Sequence, residues 1–431
     1  MFCIHKTLPC FAADPPALSR ADESPFRFGP SLDEFAFRRI ESQLALDFCK
    51  WDCQVGDVST LFRQPLFINT AVWEELESLA EALAAELTLA EIELLHRPDC
   101  QARLGMPAQL RSVLKEATTQ GLTPSVVRTL RFDFHYTSDG WRISEVNSDV
   151  PGGYAEASVF PKLVADCVPS AKPAGDPAAQ WANAMTSTVG EGGTVALLSA
   201  VGFPEDQQVI AFLGIQLQQH GIETVLLHHP EQLTWKSRKA SAMARGKHIG
   251  LGAIIRFYQG EWLPRSADRN SWKRLFVGGE TPITNPGSAL LTESKRFPLT
   301  WDDLSTEMST WRKLLPESRD PRDTGWQMGD DWVLKLAYSN NGDEVHVREL
   351  INEQAWNSLC RRVRINPSQW IAQRRFQPVV VASAVGPVYP CIGVYVIDGR
   401  AAGAYARAST HPVIDYGAMD VALLIREGAN V

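Results

Sequence analysis

Four residues in the stretch RFDFHYTSDGWRISEVNSDVPGGY, residues 131–154, have the types and spacing of a site that handles charge. Arg131 and Asp133 are two positions apart, as are Glu145 and Asn147. Alternate side chains of a strand share a face, so Arg131 and Asp133 point one way and Phe132, Phe134 and Tyr136 the other. Ser138, Asp139 and Gly140 suit a three-residue hairpin loop, a type I turn closed by a left-handed glycine. That length sets Asp133 opposite Glu145 and Arg131 opposite Asn147, whereas a four-residue loop would put the pairs on opposite faces. Two carboxylates and an amide oxygen beside an arginine require a cation among them. Magnesium fits, because it prefers hard oxygen ligands and completes its shell with waters and nucleotide phosphates. The fork-shaped, permanently charged arginine could then hold a phosphoryl group in transfer. A surface hairpin with cross-strand ion pairs would carry the same residue types and no chemistry.

The elements that must position these residues follow from the pattern around them. From Leu32 to about Lys115 the chain reads as helical, with Val72, Leu76, Leu79, Leu83 and Leu87 forming an apolar stripe between glutamates. After the hairpin, PSAKPAGDPAA marks a break. TVALLSA then reads as a buried strand, PEDQQVIAFLGIQLQQHG as a helix ending at Gly221, and IETVLLHH as a second strand, a unit suited to a parallel sheet. LGAIIRFYQGEW is a further strand running into an aromatic loop. In the last third, DWVLKLAYSNNGDEV places Lys335 on an apolar strand, where a lysine needs a partner. WIAQRRFQPVVVA and YPCIGVYVIDGRAAGAYARAS read as antiparallel strands, the second pair joined at Asp398-Gly399. The order is α, then mixed α/β, then an antiparallel α+β end.

A chain of 431 residues can build two or three units with substantial cores. Its 42 basic and 50 acidic residues are mixed along the chain, net −8, which gives no reason to expect nucleic acid or an anionic membrane as partner. No apolar run approaches the roughly 20 residues of a spanning helix, and MFCIHKTLPCFAADPP lacks the layout of a signal peptide. A cytoplasmic protein is expected. The eight cysteines include no CxxC, so a zinc site is not expected, and Cys49 and Cys53 read as small buried residues one helical turn apart. Nothing in the sequence indicates an oligomeric state.

Seven motifs in order carry a family resemblance: RxD at 131–133, ExNxD at 145–149, IxRFY at 254–258, NPxxxLLxxSK at 285–295, VLKxxY at 333–338, the GVYVIDGRAAGAYAR hairpin, and IDYG at 414–417. Together they resemble the synthetase domain of glutathionylspermidine synthase and its relatives, circularly permuted ATP-grasp amide ligases, from about Leu32 to Ile425. The resemblance implies an α/β, ATP-grasp-like fold with a helical N-terminal part and a strand-helix-strand pre-ATP-grasp unit. The implied organisation is an irregular segment, 1–30; a helical part with the metal-binding hairpin, 31–170; an α/β substrate-side subdomain, 180–270; and a nucleotide-binding region, 280–431. It implies ATP and Mg2+ as cofactors and small-molecule carboxylate and amine substrates, joined through an acyl phosphate with release of ADP and phosphate. Arg131 would steady the transferring phosphoryl group, with Asp133, Glu145 and Asn147 as magnesium ligands. Lys295 and Lys335 correspond to the two ATP-binding lysines, Gln373 to the strand beside the adenine, and Arg407 to a catalytic arginine.

The sequence departs from its relatives in three places, the first after the ExN motif, where Val150, Gly152 and Gly153 stand in place of residues that tend to be small and polar, with Glu156 retained. Asn340 stands where their loop carries an arginine, so a substrate-facing cation is missing, and Ala408 replaces the glutamate after Arg407. Residues 1–120 match no amidase domain. These departures leave a second reading open, a nucleotide-binding pseudoenzyme or regulatory protein without ligase turnover.

Overall fold

The computed structural model describes residues 24–55, 58–120, 127–266, 268, 270–327, 329–339 and 344–427. Asn340, on which one expectation about the substrate rests, lies outside them.

The hairpin of the opening stretch forms as Thr129–Thr137 and Gly140–Asn147. Arg131 pairs with Asn147 and Asp133 with Glu145, the expected register, but the route to it differs. Pairing closes at Thr137 with Gly140, and the register shifts by one residue between Asp133 and Phe134, with Ser144 as the extra residue. Gly140 is left-handed, φ +87°, as a turn of this kind requires. A β-bulge rather than the loop length therefore brings the acidic pair onto one face.

The hairpin is one side of a six-stranded antiparallel sheet. Thr129–Thr137 pairs with Gly386–Ile397, which pairs with Arg400–Ser409 and then Met419–Val421. The turn Asp398-Gly399 has φ of +48° and +79°, the expected tight connection. One face of this sheet is apolar: Phe132, Phe134, Val394 and Val396 share a core with Leu76, Ala80, Leu83 and Leu87 of the helix Thr70–Leu95. Val72 and Leu79, on the predicted stripe, flank that core. The other face carries Arg131, Asp133, His135 and Arg407.

Five further sheets occur among the described residues, three of them four-stranded. Thr194–Ser199, Glu223–Leu227, Ala253–Phe257 and Ile283–Thr284 make a parallel sheet, with the helix Pro204–Gln219 as the crossover after the first strand. Trp332–Leu336, Val345–Val347, Trp370–Arg374 and Ser318–Arg319 make a small antiparallel sheet. This sheet and the helix Glu353–Ile365 have a core of their own, built on Trp326, Trp332, Trp356 and Trp370. In the fourth sheet, Leu423–Arg426 lies between Leu66–Ile68 and Ala171–Pro173, with Phe26–Phe28 outermost.

One local expectation fails. The first helix, Glu34–Asp47, stops before Cys49, whose φ is +59°, so Cys49 and Cys53 sit in a turned segment and not on a helix. Their spacing serves Lys50, whose main-chain carbonyl accepts from the Cys53 thiol at 2.9 Å.

Candidate active site

The charged face of the main sheet opens on a cavity of about 290 Å³. Its second wall is the small antiparallel sheet, which contributes Lys335 and Gln373, and its third is the end of the parallel sheet, which contributes Phe257 and Gln259.

Asp133, 1 % exposed, is the centre of the first wall. Its Oδ1 accepts from Arg131 Nε at 2.9 Å, and its Oδ2 from Arg131 at 3.2 Å, Arg407 at 2.8 Å and Asn147 Nδ2 at 3.4 Å. Burial alone would raise this carboxyl, but the two guanidiniums reverse the effect and hold it at about 2. The sheet makes room for the cluster at Gly393, where a Cβ would lie 2.8 Å from Asp133 Oδ1. The Pro-Gly-Gly that follows the hairpin has its explanation here. The Gly152 carbonyl accepts from Arg131 at 2.7 Å and from the Tyr395 hydroxyl. Gly153 has φ +91°, and a Cβ there would meet the Tyr405 ring at 2.6 Å. That ring lies under both arginines, 5.2 Å from each guanidinium carbon.

Glu145 faces the lysines. It pairs with Lys295 at 3.2 Å, and Lys295 also donates to the Ser339 carbonyl at 2.8 Å. Lys335, 5 % exposed, donates to the Ser144 carbonyl at 2.9 Å, so the bulge residue is its partner. Burial pushes Lys335 down to about 8 against the pull of Glu145, and the charge of Lys295 adds to the depression. Glu145 is held below its ordinary range because Lys295 and Lys335 outweigh its burial. Gln373 lies buried on the same face of the small sheet and donates to Ser318 Oγ at 3.1 Å.

Seven of the eight residues singled out in the sequence thus line one cavity: Arg131, Asp133, Glu145, Asn147, Lys335, Gln373 and Arg407. Lys295 does not line it and sits behind Glu145. Among the described residues no group of three or more histidine, cysteine, aspartate or glutamate side chains could hold a metal. The residues present offer a hard-oxygen set of two carboxylates and an amide, the kind that binds magnesium together with phosphates. Glu145 and Asn147 suit that use directly, whereas Asp133 would share its oxygens with two arginines.

Sequence reasoning missed a second charged cluster on the cavity wall. Lys50, 4 % exposed, is bound by Asp52 at 2.8 Å, Glu156 at 2.7 Å and Asp420 at 3.0 Å, and the Tyr405 hydroxyl donates to Asp420 at 2.6 Å. Its parts come from three distant segments, and no local spacing in the sequence joins them. Also unforeseen is the buried Arg256–Asp149 pair behind the site. Asp149 Oδ2 accepts the Gly260 N–H at 2.8 Å as well.

No helix among the described residues is long and apolar enough to cross a membrane. No curated protein matches the sequence. Among solved structures, a glutathione synthetase-like effector from Globodera pallida, in its apo form, is similar in fold, with a TM-score of 0.61 and 14 % identity over 91 % of this chain and 98 % of that one. A protein designated a gamma-glutamylcysteine synthetase, from Methylobacillus flagellatus, gives a TM-score of 0.39 and 11 % identity over 74 % of this chain and 82 % of that one. The model of the glutathionylspermidine synthase preATP-grasp family matches residues 63–426, which contain every residue of the cavity described above except the Lys50–Asp52 edge and Thr60. On that match the chain belongs to the glutathionylspermidine synthase preATP-grasp family.

Proposed function

We propose that the protein is an ATP-dependent carboxylate–amine ligase. The observation that carries this reading is the convergence in one cavity of Arg131, Arg407 and Lys335 with Glu145 and Asn147. Three cations converging from two walls of one cavity suit a phosphoryl group in transfer, and positioning with charge neutralisation is most of what such chemistry asks of a protein. Arg131 and Arg407, locked by Asp133, would hold the phosphoryl oxygens, while Lys335, Lys295 and Gln373 would hold the nucleotide. Glu145, Asn147 and Asp133 would hold magnesium, which when bound supplies charge to the phosphate oxygens. The carboxylates of Glu156, Asp52 and Asp420, which outnumber Lys50 on the cavity wall, would give acceptors suited to an amine. A substrate carboxylate would take the γ-phosphoryl group of ATP, and the amine would displace phosphate from the acyl phosphate to leave an amide.

The test is ATP consumption with paired carboxylates and amines, product masses being read directly. Substrate-dependent ADP release with an amide product supports the ligase. Nucleotide binding without such release would favour the pseudoenzyme, and hydroxamate formation on hydroxylamine trapping with no amide would mark an enzyme that stops at the acyl phosphate.

Two expectations follow. The ammonium form of Lys335 is the one that binds phosphate, and in the free protein it is lost as pH rises through about 8. The affinity for ATP should therefore hold steady below about pH 7 and fall above about pH 8, and Lys335→Met should remove this part of the fall; a wild-type profile flat to pH 9.5 would contradict the assignment. The second concerns the acid. A glutathione-type acid carries a second carboxylate, which a bidentate arginine would hold best, and Asn340 supplies no charge. Losing such a contact forfeits on the order of 1–3 kcal/mol, or roughly tenfold to a hundredfold in affinity. Glutathione is expected to be a poor substrate beside simple amino acids and dipeptides in steady-state comparison with spermidine and ATP. Efficient glutathionylspermidine formation would overturn this.

A further inference from the structure

The strand that carries Glu145 and Asn147 ends in two residues with no ladder partner, Ser148 and Asp149, both fully buried. Unpaired main-chain groups at such a place are costly, so where their hydrogen bonds go decides how firmly the strand end is held. Both N–H groups donate to one oxygen, Glu293 Oε2, at 2.6 and 2.9 Å. Both carbonyls accept from Asn285 Nδ2, at 3.0 and 2.9 Å. The same asparagine also bonds both main-chain groups of Thr129, at the start of the Arg131 strand, each at 2.9 Å. The segment from Asn285 to Glu293 is thereby fastened across the open end of the hairpin. Two residues further on, Lys295 reaches back to the Glu145 carboxylate.

We infer that Glu293 is a positioning residue, whose paired acceptance of the Ser148 and Asp149 N–H groups fixes the site-facing strand so that Glu145 and Asn147 stand at the depth that binding of magnesium-complexed nucleotide requires. The inference rests on the ligase reading for its ligand and on the hydrogen bonds alone for the clamp. Its logic is that of a group behind a ligand set, which touches no substrate and tunes affinity by holding the residues that do. Glutamine would serve in place of glutamate, since what the clamp needs is a carbonyl-type acceptor on a side chain of this length. Burial, reinforced by the Asp149 carboxylate, raises the Glu293 carboxyl to about 8, in keeping with a role as acceptor rather than counter-ion.

The experiment compares wild type, E293Q, E293A and E293D in the full chain. Amide hydrogen exchange at Ser148 and Asp149 reports the clamp, and calorimetric titration with ATP, with and without magnesium, reports the site. In E293A exchange at both amides should accelerate by about tenfold or more, and MgATP affinity should fall about tenfold, as outer-shell losses do, with metal-free ATP affinity within about twofold of wild type. E293Q should restore both readouts. If E293A does not fold, E293D, whose acceptor is withdrawn by about one carbon–carbon bond, should show the same split in weaker form. Equal losses with and without magnesium would make Glu293 a general structural residue and overturn the inference. So would an E293Q variant as impaired as E293A, which would assign Glu293 to the charge of Lys295. Wild type that binds no nucleotide would refute the ligase reading, and exchange alone would then decide the clamp: amides unprotected in wild type, or unchanged in E293A, would refute it too.

Discussion

Glu145→Ala is expected to lower magnesium-dependent ADP formation by at least about a hundredfold while the protein stays folded, the range seen when one preorganised charge contact to a transferring group is removed. The side chain is 24 % exposed, and among the described residues its one ion pair is with Lys295. Removing it takes no volume from a core. Lys295 and Lys335 keep their carbonyl partners, at Ser339 and Ser144, so neither is stranded. Stability should therefore fall by less than the roughly 3–5 kcal/mol that stranding a buried charge costs. The measurement is ADP release across a magnesium titration, with the urea midpoint as control. Undiminished turnover in the folded variant would remove Glu145 from the metal site.

Asp133→Asn should do the reverse in kind, unfolding the protein before it reports on catalysis. Among the described residues the carboxylate is the sole acidic ion-pair partner of two guanidiniums, Arg131 and Arg407, both largely buried. Breaking a buried pair by neutralising one member costs on the order of 3–5 kcal/mol, because the remaining charges stay desolvated. The pH dependence has a definite sign. A carboxyl near 4 in the unfolded chain and about 2 in the folded one stabilises the fold fully above pH 4, and this contribution drains away as pH falls from about 4 to about 2. Between pH 7 and pH 3, midway through that window, wild type should lose on the order of 1 kcal/mol more than Asp133→Asn does. Denaturant titrations at pH 7 and pH 3 measure both quantities, and an asparagine variant as stable as wild type at pH 7 would show that the arginines do not depend on Asp133.

Local pattern was enough for much of this architecture. Alternation placed Arg131 and Asp133 opposite Phe132 and Phe134, and the sheet keeps that division, charge toward the cavity and aromatic rings toward the helix. The strand-helix-strand unit and the Asp398-Gly399 turn likewise depend on neighbours in the chain and were legible. The register came out as expected through a different device, since a bulge at Ser144 cannot be told from a longer turn when strand residues alone are read. What the sequence hid depends on contacts made across the fold. Lys50 is defined by Glu156 and Asp420, and no local spacing joins them. Gly393 looks like a weak point in a strand until the Arg131–Asp133 pair is seen to need its missing side chain. Arg256 stood inside a recognised motif, yet its role behind the site needs Asp149 from another unit.

The sheet that holds Leu423–Arg426 between Leu66–Ile68 and Ala171–Pro173 bears on how the chain is made. A strand inserted between two earlier ones cannot be added as an afterthought, because each of them keeps an unpaired edge until it arrives. The main sheet repeats this order, since the Arg131 strand waits for Gly386–Ile397. During synthesis, then, the helix Thr70–Leu95 and the site hairpin leave the ribosome well before the partners that cover them. Contacts of such sequence separation make for slow folding and exposed apolar surface in the meantime. Until residue 426 has emerged the early elements keep unpaired strand edges, and the site is completed last, by Arg407 and Asp420.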